Sequence, residues 1–254
     1  MLEKEILRRE MENAIKWIKQ YVENSGAKGI VIGNSGGKDS ATVLAMATKA
    51  IGKEKVLAVS MPCNSQSSDL EDATLVAKTF EVKQIVVDLS NSYIEMEKEI
   101  NLKSPRNLSK EATINIKPRL RMTTLYGIAQ TINYLVIGTG NLCESMVGYT
   151  TKWGDNSSDF NPIGNFTVDE VLEIGKMLGV PSAILKKAPN DGLGGLTDEE
   201  KMGIKYSQIA EMIETGNTEE KAKKEIIRRY QNSKHKRNRR PVYTFERKNF
   251  LKFI

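Results

Sequence analysis

The chain of 254 residues is poor in the residues from which several kinds of protein are built. It has two cysteines, Cys63 and Cys143, 80 positions apart. That spacing excludes a disulfide-dense secreted scaffold and any Cys-x-x-Cys metal or redox pair, and it fits a reducing, cytoplasmic home. His235 is the single histidine, so a histidine-rich metal site is excluded. No apolar run approaches the roughly 18 residues needed to cross a bilayer. The opening Met1-Leu2-Glu3-Lys4-Glu5 has acids and lacks the apolar segment of a secretory signal. Internal repeats and low-complexity tracts are absent. Two nucleotide signatures also fail. From Gly33 to Gly37-Lys38 there are three intervening residues where a Walker A loop needs four. After Gly138-x-Gly140, Cys143 stands where a dinucleotide fingerprint needs its third glycine.

What is present is enough for a core, with 39% apolar and 28% charged residues. The net charge is +6, and Lys234 to Arg240 alone carries +5 of it, leaving the rest near neutrality. The chain is therefore not a basic nucleic-acid coat. It has one local segment suited to polyanions, nucleotides included.

Apolar residues at Leu7, Met11, Ala14, Ile15, Ile18, Tyr21 and Val22 predict a helix over 2–24 with one buried face, ended by Ser25-Gly26. Gly29 to Gly33 reads as a strand buried on both faces. A Gly-rich turn and a helix from about Asp39 to Ile51 follow. Strands at Lys55–Ser60, Gln84–Asp88 and Tyr134–Gly138 alternate with helices at Leu70–Phe80 and Ile116–Asn133. Such alternation predicts an α/β fold: a doubly wound parallel sheet flanked by helices. Beyond residue 150 the strand pattern stops. Thr167-x-x-Glu170, Thr197-x-x-Glu200 and Asn217-x-x-Glu220 resemble capping boxes, so the C-terminal part is expected to be mainly helical.

The sharpest local feature is Ser35-Gly36-Gly37-Lys38-Asp39-Ser40, between the first strand and its helix. In a doubly wound sheet that turn lies at the ligand-binding edge. Small residues admit an anion to the backbone N–H groups, and the helix start adds a positive end. Asp39 alone would repel a phosphate, which suggests a divalent cation between them.

This hexapeptide resembles the SGGxDS pyrophosphate loop of the N-type ATP pyrophosphatases, which cleave ATP between the α and β phosphates and adenylate an acceptor. Further segments are similar to the NAD synthetase family within that superfamily. They are Met61 to Ser65 running to Asp72, Asn115 through Tyr126, Gly138 to Glu144, Gly148 to Asp155, Thr197 to Glu200 with Gly203, and His235-Lys236-Arg237. They span about residue 15 to 241 in the family's order.

The resemblance implies an adenine nucleotide alpha hydrolase-like fold in one domain, 1–254, with an ATP pyrophosphatase core at 1–150 and a helical part at 151–254 completing the substrate sites. It implies ATP-dependent amidation of deamido-NAD to NAD: the nicotinate carboxylate is adenylated, pyrophosphate leaves, and ammonia displaces AMP. Gly33, Asn34, Ser35, Gly36, Gly37, Lys38, Asp39 and Ser40 would hold the ATP phosphates, joined by Thr139 and by Asn190 in place of a Ser/Thr. Asp39 and Ser40 would carry the catalysis, and Asp39 and Glu144 would bind Mg2+. Arg119, Lys152, Asp159, His235 and Lys236 would contact deamido-NAD. Many members have a lysine on ATP where Val168 stands, leaving Lys176, Lys186 and Lys187 as candidates for the missing cation. The pyrophosphate loop lies about 30 residues from Met1, leaving no room for a glutaminase domain before it, so free ammonia is the expected nitrogen donor. A homodimer is implied, with no nucleic-acid or membrane partner. The rivals are a tRNA-modifying thiolase, disfavoured by the missing cysteine pairs, and a nucleotide sensor, disfavoured by two metal carboxylates.

Overall fold

The computed structural model describes residues 1–65, 67–187 and 197–238. The elements in order are α1 (Lys4–Ser25), β1 (Gly29–Gly33), α2 (Lys38–Ile51), β2 (Val56–Ser60), α3 (Ser67–Thr79), β3 (Lys83–Val86), α4 (Ser90–Lys103), α5 (Lys110–Ile132) and β4 (Tyr134–Ile137). After them come α6 (Leu142–Val147), α7 (Val168–Leu178), α8 (Ser182–Leu185), α9 (Asp198–Met202), α10 (Tyr206–Thr215), α11 (Glu220–Asn232) and α12 (Lys234–Arg237).

The four strands are all parallel and lie in the order β3-β2-β1-β4. The chain therefore builds outward from β1 to β3 and then jumps back to place β4 on the other side of β1. The strand order reverses between β1 and β4. In open parallel sheets a ligand crevice forms outside the carboxyl ends at such a reversal.

Alternation along β1 explains the two faces of the sheet. Ile30 and Ile32 join α1, α2 and α7 in one core, with Leu7, Ile18, Leu44, Met46, Ile174 and Ile184 at its centre. Val31 points the other way, meeting Val59 and Val136 under α4 and α5. A third cluster, built on Cys143, Met202, Ile204, Ile209 and Ile226, packs α6, α9, α10 and α11 together. The apolar stripe of α1 is spent inside the chain, where Leu7, Met11, Ile15, Ile18 and Val22 are buried.

Three details depart from the sequence reading. Helix α4 appears where no element was expected, because Tyr93 is its only buried side chain and its periodicity is faint. Helix α5 starts at Lys110, not Ile116, capped by Ser109, whose hydroxyl accepts from the Ala112 N–H at 3.2 Å. Asn217 does not cap α11. The N-cap is Glu219, and Asn217 Oδ1 accepts from Lys223 Nζ at 3.0 Å instead. The box at Thr197–Glu200 forms as expected, while at Thr167 only the return bond is made, the Thr167 N–H donating to Glu170 at 2.9 Å.

Candidate active site

A cavity of about 680 Å³ opens at the β1/β4 reversal. One wall is the loop from Gly33 to Ser40, and the opposite one is Gly138 to Glu144. Both follow directly from the topology, since each loop leaves the carboxyl end of one of the two strands that flank the reversal.

The first loop is held by its own short side chains. The Asn34 amide is buried, donates to the Ala73 carbonyl at 2.7 Å and accepts from the Gly36 N–H at 3.4 Å. Ser35 Oγ accepts from the Gly37 N–H at 3.2 Å and lies 3.0 Å from Ser40 Oγ. Gly36 sits at φ +77°, and a Cβ there would come within 2.7 Å of the Asp69 carbonyl and 2.8 Å of Asp72 Cβ. Only glycine lets the loop lie against the start of α3.

Asn141 ties the two walls together. Its side chain is buried, and its Nδ2 donates to Asp39 Oδ1 at 3.2 Å while its Oδ1 accepts from the Glu144 N–H at 3.1 Å. Glu144 completes a capping box by accepting from the Asn141 N–H at 2.9 Å. Asp39 and Glu144, 105 positions apart in the chain, thus share one anchor. Burial first, and Asp39 second, push the Glu144 carboxyl well above its ordinary range. The ammonium of Lys38 lies 2.9 Å from Asp39 Oδ2, buried at 8% exposure, with the Tyr206 ring 5.8 Å away. Burial works against this charge, but Asp39, then Glu144 and Asp198, outweigh it and hold the amine above its usual value.

Two hard-oxygen carboxylates that face a cavity, one of them strained by the other, fit a divalent cation. Among the described residues no group of three or more His, Cys, Asp or Glu could hold a metal alone. A cation held by these two acids would need further ligands from outside this pair.

The other expected residues divide into two places. Thr139 and Lys236 line the cavity. Lys236 turns its ammonium onto the Gly148 and Thr150 carbonyls, at 2.7 and 2.6 Å, and burial lowers its pKa. Arg119, Lys152, Asp159 and His235 are not among the cavity-lining residues. Arg119 Nε donates to the Lys152 carbonyl at 3.3 Å. Asp159 accepts from the Val136 N–H at 2.7 Å and from the Tyr126 hydroxyl at 3.3 Å. Arg119 and Tyr126 lie two turns apart on α5, so these groups form a row along that helix beside the exposed Trp153. Asn190 lies outside the described residues. Val168 is buried in the third apolar cluster. Of the three lysines named for its missing charge, Lys176 pairs with Glu173 at the surface and Lys187 lines the cavity. The ammonium of Lys187 bonds Asp69 at 2.9 Å and Asp72 at 2.7 Å, at the start of the helix that abuts Gly36.

Sequence reasoning missed two further residues. Asn141 was one letter of a motif, and nothing in the sequence marked it as the bridge. Arg121 was one residue of the 115–126 segment with no role of its own. It lines the cavity and donates to the Met61 carbonyl at 3.1 Å and to Ser65 Oγ at 3.2 Å, pinning the segment after β2. The basic tail also differs from a free polyanion arm. Arg237 donates to the Ser145 carbonyl at 2.9 Å, so α12 is stapled to α6.

The model of the NAD synthase family matches residues 10–241. An NH(3)-dependent NAD(+) synthetase from Carboxydothermus hydrogenoformans is 42% identical over 227 residues, 89% of this chain and 93% of that protein. One from Archaeoglobus fulgidus is 40% identical, over 91% and 95% of the two chains. Among solved structures, an NMN synthetase from Francisella tularensis superposes with a TM-score of 0.88 at 32% identity, over 94% of this chain and 99% of that one. An NH3-dependent NAD synthetase from Campylobacter jejuni reaches 0.77 at 26% identity, over 96% and 100%.

Proposed function

The chain belongs to the NAD synthase family, and from that membership and the geometry of its cavity we infer an ATP-dependent ligase that amidates deamido-NAD to NAD with ammonia. The observation that carries the reading is the meeting of the Ser35–Ser40 loop with Glu144 across Asn141, at the reversal of strand order.

The chemistry asks for orientation and charge control more than for covalent catalysis. Gly37 leaves room for the triphosphate at the start of α2, and the hydroxyls of Ser35 and Ser40 stand beside it as donors. The start of α2 places its positive end at the same point. Asp39 and Glu144 would hold Mg2+, which when bound neutralises phosphate oxygens as pyrophosphate departs. Asn141 fixes the distance between those two acids. Arg121 keeps the Met61–Ser65 segment at the cavity rim, where the adenosine end would lie. The row of Arg119, Lys152 and Asp159 along α5 offers cations and hydrogen-bond partners to a dinucleotide that reaches out of the cavity. That row is open to solvent, and we read it as a half-site completed by a second copy of the chain. The exposed Ile94, Met96 and Leu102 of α4 and Ile132 of α5 supply apolar surface for such a dimer. Residues 1–150 would serve as the ATP core and 151–254 as the remainder of one domain. Two buried free cysteines suit a reducing compartment such as the cytoplasm.

A second reading, amidation of the mononucleotide to NMN, is favoured by the likeness to the Francisella structure. The test is AMP and amide formation from ATP and Mg2+, with deamido-NAD or nicotinate mononucleotide as acceptor and ammonium or glutamine as donor. Ammonium-dependent NAD with equimolar AMP, and no product from glutamine, is the expected result. A higher kcat/KM for the mononucleotide gives the second reading. No AMP from either acceptor overturns both.

A further inference from the structure

We propose that Lys38 is the resident counter-ion of Asp39 and Glu144 in the nucleotide-free protein, that it keeps a lone divalent cation out, and that it yields Asp39 only when phosphates arrive to take its ammonium. The proposal rests on the reading of this cavity as an ATP site.

Three carboxylates act on Lys38: Asp39 at 2.9 Å, Glu144 and Asp198. Asp198 is held in turn by the Tyr149 hydroxyl at 3.1 Å. The ammonium is buried, so it is the charge nearest to hand for the acid pair, and water contributes little screening. Among the described residues, a divalent cation arriving alone would meet Asp39 and Glu144 as its acid pair, and Lys38 already holds one of them. It would face the like charge of the Lys38 ammonium, 2.9 Å from Asp39. A nucleotide changes this balance. Its triphosphate brings several negative charges to the start of the helix that Lys38 itself opens, so the ammonium can exchange Asp39 for a phosphate oxygen and leave Asp39 and Glu144 as the residues that would hold the cation. Lys38 thereby makes metal entry conditional on nucleotide, and it ends on the phosphate chain. A neutral side chain at this position would leave the acid pair open to metal at all times.

The experiment is Mn2+ binding followed by the electron paramagnetic resonance of the free ion, on the whole chain. The probe is Mn2+ alone and Mn2+ with α,β-methylene ATP. Wild type should leave Mn2+ free without nucleotide and take up one ion per chain with the analogue. Lys38→Gln should bind Mn2+ without nucleotide on the order of ten-fold or more tighter than wild type, as removal of one close buried charge demands. Lys38→Arg, which keeps the charge, should behave as wild type. Equal nucleotide-free affinity in wild type and Lys38→Gln overturns the proposal. So does tight nucleotide-free binding by wild type, a result that needs no variant to fold. Ammonium-dependent NAD formation by wild type is scored separately. Its presence with unaltered Mn2+ binding in Lys38→Gln sinks the role of Lys38 and leaves the enzyme reading standing. Its absence with the expected Mn2+ pattern does the reverse.

Discussion

Replacing Gly36 by alanine tests whether the Gly33–Ser40 loop is held by close packing. Two penalties act on the same methyl group. At φ +77° an L side chain costs about 1–2 kcal/mol relative to glycine. The new Cβ would also stand 2.7 Å from the Asp69 carbonyl, 2.8 Å from Asp72 Cβ and 2.9 Å from the Ala73 amide nitrogen. Two of these atoms are backbone of α3, so the helix must move as a body, and overpacking of this kind costs about 1–3 kcal/mol. Together they make about 2–5 kcal/mol, or a fall in Tm of roughly 5–15 °C for a domain of this size. Gly37 is the internal control. It has an ordinary φ of −84°, and its added Cβ would meet only the movable Ser35 hydroxyl at 3.3 Å. Gly37→Ala should stay within about 2 °C of wild type. The assay is thermal unfolding without nucleotide, paired with KM for ATP. Gly36→Ala should lose both stability and affinity, because moving α3 also shifts the Lys187 ammonium bound to Asp69 and Asp72. A Gly36→Ala protein as stable as Gly37→Ala would refute the reasoning.

Glu144→Gln should cost about 100-fold or more in kcat/KM with Mg2+, as expected when a charge that steadies the reacting phosphates is lost. The same change should raise Tm of the metal-free protein at neutral pH. The folded pKa of Glu144 lies above its unfolded value, so the native fold prefers the protonated acid. Wild type carries no such penalty below about pH 4.5, the unfolded value, and acquires it as pH rises through the folded value. The Tm advantage of the glutamine variant should therefore grow with pH, and an advantage that shrinks would contradict the assignment. Arg121→Met should raise KM for ATP about ten-fold with a smaller change in kcat, through loss of two hydrogen bonds to the 61–65 segment. Arg121→Lys should not restore it, since one ammonium lacks the fork that reaches Met61 and Ser65 together; steady-state kinetics decides this. Burial pushes the thiol of Cys143 up to about 11 and that of Cys63 upward. A thiol reagent at pH 8 should find no reactive cysteine in the native protein and two after denaturation. Rapid labelling of the native protein would place a cysteine at the surface.

Strands β1 and β4 were legible because they are runs of apolar residues with no polar alternation. Gly29 to Gly33 and Tyr134 to Ile137 lie where that pattern put them. Helix α4 was not legible for the opposite reason. Its apolar residues Ile94, Met96 and Leu102 face outward, so no stripe of helical period marks a buried face.

The site divides along the same line. Ser35 to Ser40 declare themselves locally, since a strand-to-helix turn with two glycines, two hydroxyls and a carboxylate has little structural reason to exist. Arg121 and Asn141 declare nothing locally. Each acts on a partner that only the fold brings near: Met61 is 60 positions from Arg121, and Asp39 is 102 from Asn141. What fixes both distances is the reversal of strand order beside β1. Had β4 been added beyond β3, the sequence motifs would be intact and Glu144 would lie three strands away from Asp39. The two carboxylates meet at one cavity only because the chain returns to β1 before it forms its last strand. Asn141, the residue that spans that junction, is therefore under a constraint on length as well as polarity. Aspartate there would add a third negative charge beside Asp39, and alanine would leave the gap unspanned.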